Sequence, residues 1–233
     1  MNSRILLAVH CAMAVLFGLA GEASGQKPLK RPAGPKRFVD AWSNPNVPTE
    51  LVLRGDGAFA QVRRDGTVGA DGMWQVTGAT TVTLFTPASR ATCQATLVND
   101  SLIVLQHFLP DGGSEGDGTV LFRKGYDWSG KNANKVVADK KANALIAGKW
   151  SHPNSQRIFA ADNQGEWIET RKNGGEPIAG TWSACDDGTF WVEYSHGGKM
   201  RAWASADGRL ALQAFSGATG EMIDDGMTVV RTK

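Results

Sequence analysis

The chain has 233 residues, 42% of them hydrophobic and 21% charged, with 28 glycines and 9 prolines, which is globular composition and excludes a disordered or collagen-like chain. The formal charge of +2 gives no overall basic excess for nucleic acid, and only the extreme N-terminus approaches membrane length.

Residues 1–25 carry Arg4, an apolar run from Ile5 to Leu19, and then the small residues Ala20, Gly21, Ala23, Ser24 and Gly25. That order predicts a secretory signal peptide, cleaved after Ala20 or Gly25, and a secreted or periplasmic location with no stable membrane span after cleavage. An uncleaved anchor is the alternative, and Cys11 lies in no lipoprotein box. Removal leaves Cys93 and Cys185, which are either one disulfide across the two halves or two buried thiols.

Residues 26–37 read QKPLKRPAGPKR, with five cations, no acid and three prolines. This is an extended basic arm, acting as an exposed linker or touching an acidic polymer or lipid headgroups. The remainder then carries about −3, because Arg4 and Glu22 cancel within the leader.

Two homologous domains follow, at 38–124 and 146–233. Trp42-Ser43-Asn44-Pro45-Asn46 returns as Trp150-Ser151-His152-Pro153-Asn154, an offset of 108. The same offset matches Gly66 to Gly174, Trp74 to Trp182, Leu102 to Leu210, Asp117-Gly118 to Asp225-Gly226 and Arg123 to Arg231. Asp-Gly and Asn-Gly turns separate short alternating runs, which predicts about eight antiparallel strands per half. In the first half these include 72–76, 80–86, 91–97 and 102–106.

Between the halves, residues 125–145 form a linker, with a helix expected over Asn134–Ile146 that packs Val137, Ala144 and Leu145. In the second half the predicted strands are 149–151, 157–161, 166–171, 180–184, 189–194, 199–205, 209–215 and 227–231. The fold class is therefore all-β: two tandem antiparallel up-and-down β-barrels joined by a short helical linker.

A Gly148-x-Trp150 on a first strand, closed by Arg231 on the last, resembles the signature of the calycin superfamily of lipocalins and avidins. The first half has Trp42 and Arg123, with Asp40 where the glycine stands. The resemblance implies that the arginine packs over the indole and ties the chain ends, and that such a barrel binds small apolar molecules or proteins. It carries over no ligand-contact residue, and it includes secreted inhibitors of metalloproteases.

Motifs for chemistry are sparse. His107, His152 and His196 form no HxxxH or Cys/His cluster, so no metal and no cofactor is expected. Asp186-Asp187 and Asp224-Asp225 read first as turn residues; calcium in the turns, or a carboxylate pair made by Asp186 and Asp225, is the alternative. The expected class is a non-catalytic binding protein. Trp167, Trp191, Trp203 and Tyr194 replace Phe59, Thr83, Ala95 and Thr86 of the first half. Trp191 and Trp203, with Tyr194, Trp167, Arg201 and Glu193, are expected to form an aromatic face for a small molecule or glycan. The competing expectation is that these indoles fill the barrel or the inter-domain interface. A second functional class is a protein-interaction module, such as a protease inhibitor or envelope-associated adaptor.

Overall fold

The computed structural model describes residues 36–87, 91–109, 113–130, 133–205 and 207–232. Residues 1–35, on which the expected signal peptide and most of the basic arm fall, lie outside the described residues. The last two arm residues are described, and Arg37 pairs with Asp100 at 3.2 Å.

The first half is a closed barrel of β1 (Asp40–Ser43), β2 (Thr49–Leu53), β3 (Ala58–Arg63), β4 (Val68–Val76), β5 (Thr81–Thr86), β6 (Ala91–Asn99), β7 (Leu102–Phe108) and β8 (Ser114–Arg123). Each strand pairs antiparallel with its sequence neighbour, and β1–β8 pairing, with Trp42 opposite Arg123, closes the ring. The linker contributes a two-residue strand, β9 (Lys135–Val136), and helix α1 (Lys140–Ile146). The second half comprises β10 (Gly148–Ser151), β11 (Arg157–Ala161), β12 (Glu166–Arg171), β13 (Ile178–Cys185), β14 (Phe190–Tyr194), β15 (Lys199–Ala204), β16 (Arg209–Phe215) and β17 (Met227–Thr232). It closes in the same way, with Trp150 opposite Arg231.

Local chemistry fixes the hairpins. Asp65 accepts from Thr67 N and Oγ1 at 2.9 and 2.7 Å, while Gly66 takes φ +85°. Asp187-Gly188-Thr189 repeats the device, with φ +78° at Gly188. A side-chain acceptor and a left-handed glycine are what such a turn requires.

Apolar residues of alternate strand positions fill both barrels. Trp42, Phe59, Trp74, Leu84 and Ile103 lie in the first core, and Trp150, Phe159, Trp167, Phe190 and Leu212 in the second. An eight-stranded barrel is just wide enough for side chains to occupy its interior. Phe38 and its repeat counterpart Ile146 plug equivalent ends, each fully buried and each offering its carbonyl to an indole, Trp42 at 3.0 Å and Trp150 at 2.8 Å.

Arg123 Cζ stands 4.6 Å from the Trp42 ring centroid, and Arg231 Cζ 4.5 Å from that of Trp150. Arg231 also caps the end of α1 by donating to the carbonyls of Ala144, Leu145 and Ala147. A Cβ at Gly148 would stand 3.0 Å from Arg231 Nη1, so the glycine leaves room for the guanidinium. In the first barrel Asp40 pairs with Arg123 at 2.7 Å, and a carboxylate partner replaces the missing glycine.

The constant offset of 108 is corrected over two strands. Ile103 faces Leu121 as Leu210 faces Val229, so β6–β7 match β15–β16 at an offset of 107. Four residues separate the paired Thr86 and Ala91, but three separate Tyr194 and Gly198. A one-residue slip exchanges faces. The counterpart of Ala95 is therefore Ala202, not Trp203, and that of Leu102 is Arg209, not Leu210.

The linker differs from the expected helix. Asn134 meets Asp186, Val136 pairs with Ala184, and α1 begins only after Asp139, whose carboxylate accepts from Ala142 N at 2.7 Å. Val137 is 97% exposed and packs nothing, whereas Ile146, Leu145 and Ala142 do pack on the second core. Cys93 and Cys185 are not joined to each other; each is a buried thiol in its own barrel.

The barrels meet through the outer faces of β6–β8 and β15–β17, around Val104, Val120, Phe122, Trp203, Ala211 and Phe215. This seam is reciprocal. Asn46 donates to Asp224 O at 2.6 Å, and Asn154 donates to Gly116 O at 2.8 Å; 46/154 and 116/224 are repeat pairs. Gly118 lies under Thr228, and its equivalent Gly226 lies under Val120. Corresponding residues of the two halves thus contact each other, as in an isologous dimer.

Candidate functional site

The six residues singled out in the second half go to three places. Trp167 and Tyr194 are inside the barrel, where the indole donates to the phenol at 3.3 Å. Tyr194 donates to Glu169 at 2.8 Å, and Glu169 takes a bidentate pair from Arg157 at 2.7 and 2.8 Å. Burial alone would raise the Glu169 carboxyl, but the bonds and charge of Arg157 outweigh it and the group sits below its ordinary value. Burial, with Glu169 beside it, pushes the Tyr194 phenol up.

Trp191, Trp203 and Arg201 form the second group, in the seam. Trp203 is 1% and Arg201 0% exposed. The guanidinium lies between the two indoles, 5.8 and 5.2 Å from their centroids. It donates to Thr189 Oγ1 at 3.1 Å and Trp128 O at 2.9 Å, and it pairs with Asp187. Glu193 stands apart, half-exposed, held below its ordinary value by Lys135, with Lys199 also near.

These residues do not make one open platform, and the structure corrects that expectation. Trp191 and Trp203 do share the outer face, but the linker covers it: Tyr126 accepts from the Trp203 indole at 3.2 Å, and Trp128 stacks on Phe215 with centroids 6.1 Å apart. The one-residue slip is part of the reason, because Trp203 occupies the interface position equivalent to Thr96.

The acidic turn residues are each used structurally. Asp186 accepts from Asn134 N and Nδ2, and Asp224 accepts from Gln213 and Gly226 N. Asp225 accepts from Thr119 of the first barrel at 3.3 Å. Among the described residues no three His, Cys, Asp or Glu side chains converge in a metal-binding cluster.

A cleft of about 670 Å³ is bounded by the β1–β2 turn, the β3–β4 turn and the start of the linker. Arg63, Arg64, Arg123 and Lys124 line it, against the single carboxylate of Glu50, as do Tyr126 and Trp128. Arg64 donates to Pro45 O, and Arg123 is held by Asp40 and by the carbonyls of Arg37 and Asp100. Lys124 stands 3.6 Å from Glu50, and Arg63 is exposed on the turn. Tyr126 and Trp128 are half-buried, each backed by a phenylalanine, Phe122 and Phe215 respectively.

None of the cleft's cations or rings was a candidate from sequence, apart from Arg123 in its structural role. The available signal was that Tyr126 and Trp128 are linker aromatics outside the duplication, where a purely connecting segment has no use for them.

No family model and no curated protein matches this sequence. Among solved structures, the chain is similar to the crystal structure of BamB from Moraxella catarrhalis, at 11% identity and a TM-score of 0.18, over 80% of this chain and 70% of that one. No helix among the described residues is long and apolar enough to cross a membrane.

Proposed function

We propose that this is an exported, non-catalytic binding protein built from two calycin-type barrels, and that its ligand lies in the cleft between the first barrel and the linker. The observation that carries this reading is the contrast between the two barrel interiors, packed with their own side chains, and a cleft where cations and two half-open rings converge. Ligand sites are concave and combine apolar surface with a few placed polar groups. The arginine-over-tryptophan closure in both halves supports the calycin assignment.

Trp128 is the indole that borders the cleft, which gives the test. Tryptophan fluorescence of the mature chain is titrated with neutral and acidic oligosaccharides and with a fatty acid. A saturating change that disappears in Trp128→Phe supports the cleft; a change that survives it moves the site elsewhere. Export is tested by N-terminal sequencing of the protein from the extracytoplasmic fraction, which should begin at Gly21 or Gln26.

A second reading, a protein-interaction module, draws on one different observation. Met73 and Phe85 are register partners on the outer face of β4–β5, each 44% exposed, and Met73 borders a groove of about 560 Å³ shared with Val68. Exposed apolar patches of this kind mark contact surfaces. In its inhibitor form, this reading requires inhibition of a secreted metalloprotease such as thermolysin, lost in Met73→Asp; absence of inhibition removes that form.

A further inference from the structure

We infer that the ligand class of the cleft is a carboxylated oligosaccharide, a uronate-type acidic glycan. This rests on the cleft being the binding site, and it adds the chemistry that the site selects.

Charge sets the first requirement. The lining carries four cations against one carboxylate in a chain whose body, after the leader and arm, is mildly acidic. Asp40 pairs with Arg123 and Glu50 with Lys124, so the local excess is that of Arg63 and Arg64. Arg123 and Arg64 are committed to barrel closure and to the Pro45 carbonyl, and Lys124 stands 3.6 Å from Glu50, so Arg63 is the cation placed to meet an incoming anion first, with Lys124 able to turn to it from Glu50. Guanidinium pairs with carboxylate in a bidentate, planar arrangement, and an ammonium adds a rotatable point charge.

Shape and ring chemistry set the second. Tyr126 and Trp128 are each backed by a phenylalanine, which fixes their orientation. The phenol is further anchored by the Trp203 indole N–H at 3.2 Å. A rigid ring with one apolar face and a polar edge suits a pyranose, whose C–H face stacks while its hydroxyls stay wet. An acidic peptide supplies the carboxylates without the flat C–H faces. Nucleic acid supplies rings and charge, but affinity for it depends on many phosphate contacts, and this patch is small on an otherwise near-neutral chain.

Isothermal titration of the full mature chain tests the assignment, with a galacturonate tetramer, a maltotetraose of equal length, a poly-glutamate peptide and a single-stranded DNA 12-mer as probes. The expected result is binding of the galacturonate tetramer, weakened at least tenfold in Arg63→Glu and again by raised salt, with no binding of maltotetraose. Lys124→Gln, a milder change at the other cation, should weaken binding severalfold, and thermal melts of both variants verify folding.

Equal affinity for maltotetraose overturns the carboxylate requirement, and the cleft reading survives if the signal still depends on Trp128. Binding of poly-glutamate or DNA without the galacturonate tetramer overturns the glycan class. Galacturonate binding that ignores Arg63→Glu, Lys124→Gln and Trp128→Phe overturns both this inference and the site itself.

Discussion

Gly226 lies directly beneath Val120: a Cβ on the glycine would stand 2.5 Å from Val120 Cγ2 and 2.7 Å from its Cβ. The glycine also takes φ +78°, where any L side chain is strained. Gly188, at the same φ, has open space around its Cβ position, so the two glycines separate backbone strain from seam contact. Gly188→Ala should cost about 1–2 kcal/mol from the left-handed backbone alone. Gly226→Ala should cost about 2–4 kcal/mol, because overpacking adds to it. Thermal unfolding of the two variants under identical conditions measures the difference, and equal losses would show that the seam tolerates the extra carbon.

The reciprocal seam also predicts what happens when the halves are disconnected. Asn44 donates to Val120 O at 2.9 Å and to Gln213 at 3.0 Å, and Val120 N donates to Asp225 O at 2.9 Å. These bonds surround the apolar cluster of Phe122, Trp203 and Phe215 and do not pass through the linker. A protease site inserted between Lys131 and Asn132 and then cut should leave two fragments that co-elute on size exclusion at micromolar concentration. Separation of the fragments on cutting would mean that the covalent link holds the barrels together.

Most of the fold could be read from residue patterns because each barrel is made of local hairpins. Asp-Gly turns mark where chains reverse, and alternation marks which residues face inward; Phe190, Val192 and Tyr194 are buried as the pattern requires. The register of β6 and β7 could not be read, because a single extra loop residue leaves the flanking repeats in phase while exchanging faces between them. That slip is what made Trp203 look equivalent to Ala95. The cleft was illegible for another reason: its cations come from the β3–β4 hairpin and from the end of β8, and only closure of the first barrel brings residues 63 and 124 together. The sequence grouping of Trp167 with Trp191 failed because the two lie on opposite faces of the barrel wall.

Acid should act on the second barrel through Glu169. Its carboxyl is held below its ordinary value by Arg157, so its contribution is fully present above that ordinary value and is lost as pH falls through the depressed one. Glu169 is 5% exposed, and removing its charge leaves the Arg157 guanidinium without its bidentate partner. Glu169→Gln should lose about 2–3 kcal/mol near neutrality, at or just under the usual range for a broken buried pair because the Arg157 side chain is 29% exposed. The gap between wild type and variant should narrow as pH drops from 5 towards 3, measured by urea unfolding at each pH. A constant gap across that window would show that the pair is not what acid disrupts.

Arg201 joins three parts of the molecule that sequence keeps apart: the β13–β14 turn through Asp187 and Thr189, the β14–β15 outer face through Trp191 and Trp203, and the linker through Trp128 O. It is fully buried, so those partners are what offset the loss of water around the guanidinium. Arg201→Lys keeps the charge but cannot reach Thr189, Asp187 and Trp128 O at once, because an ammonium lacks the planar fork. Arg201→Leu leaves Asp187 without its cation and Trp128 O without its donor. Both variants should be destabilised by about 3 kcal/mol or more. Both should also release the linker, seen as faster tryptic cleavage between residues 124 and 135 while the barrels remain folded by circular dichroism. Unchanged cleavage in a destabilised variant would place the role of Arg201 in the second barrel alone and leave the linker held by the Trp128–Phe215 and Tyr126–Phe122 stacks.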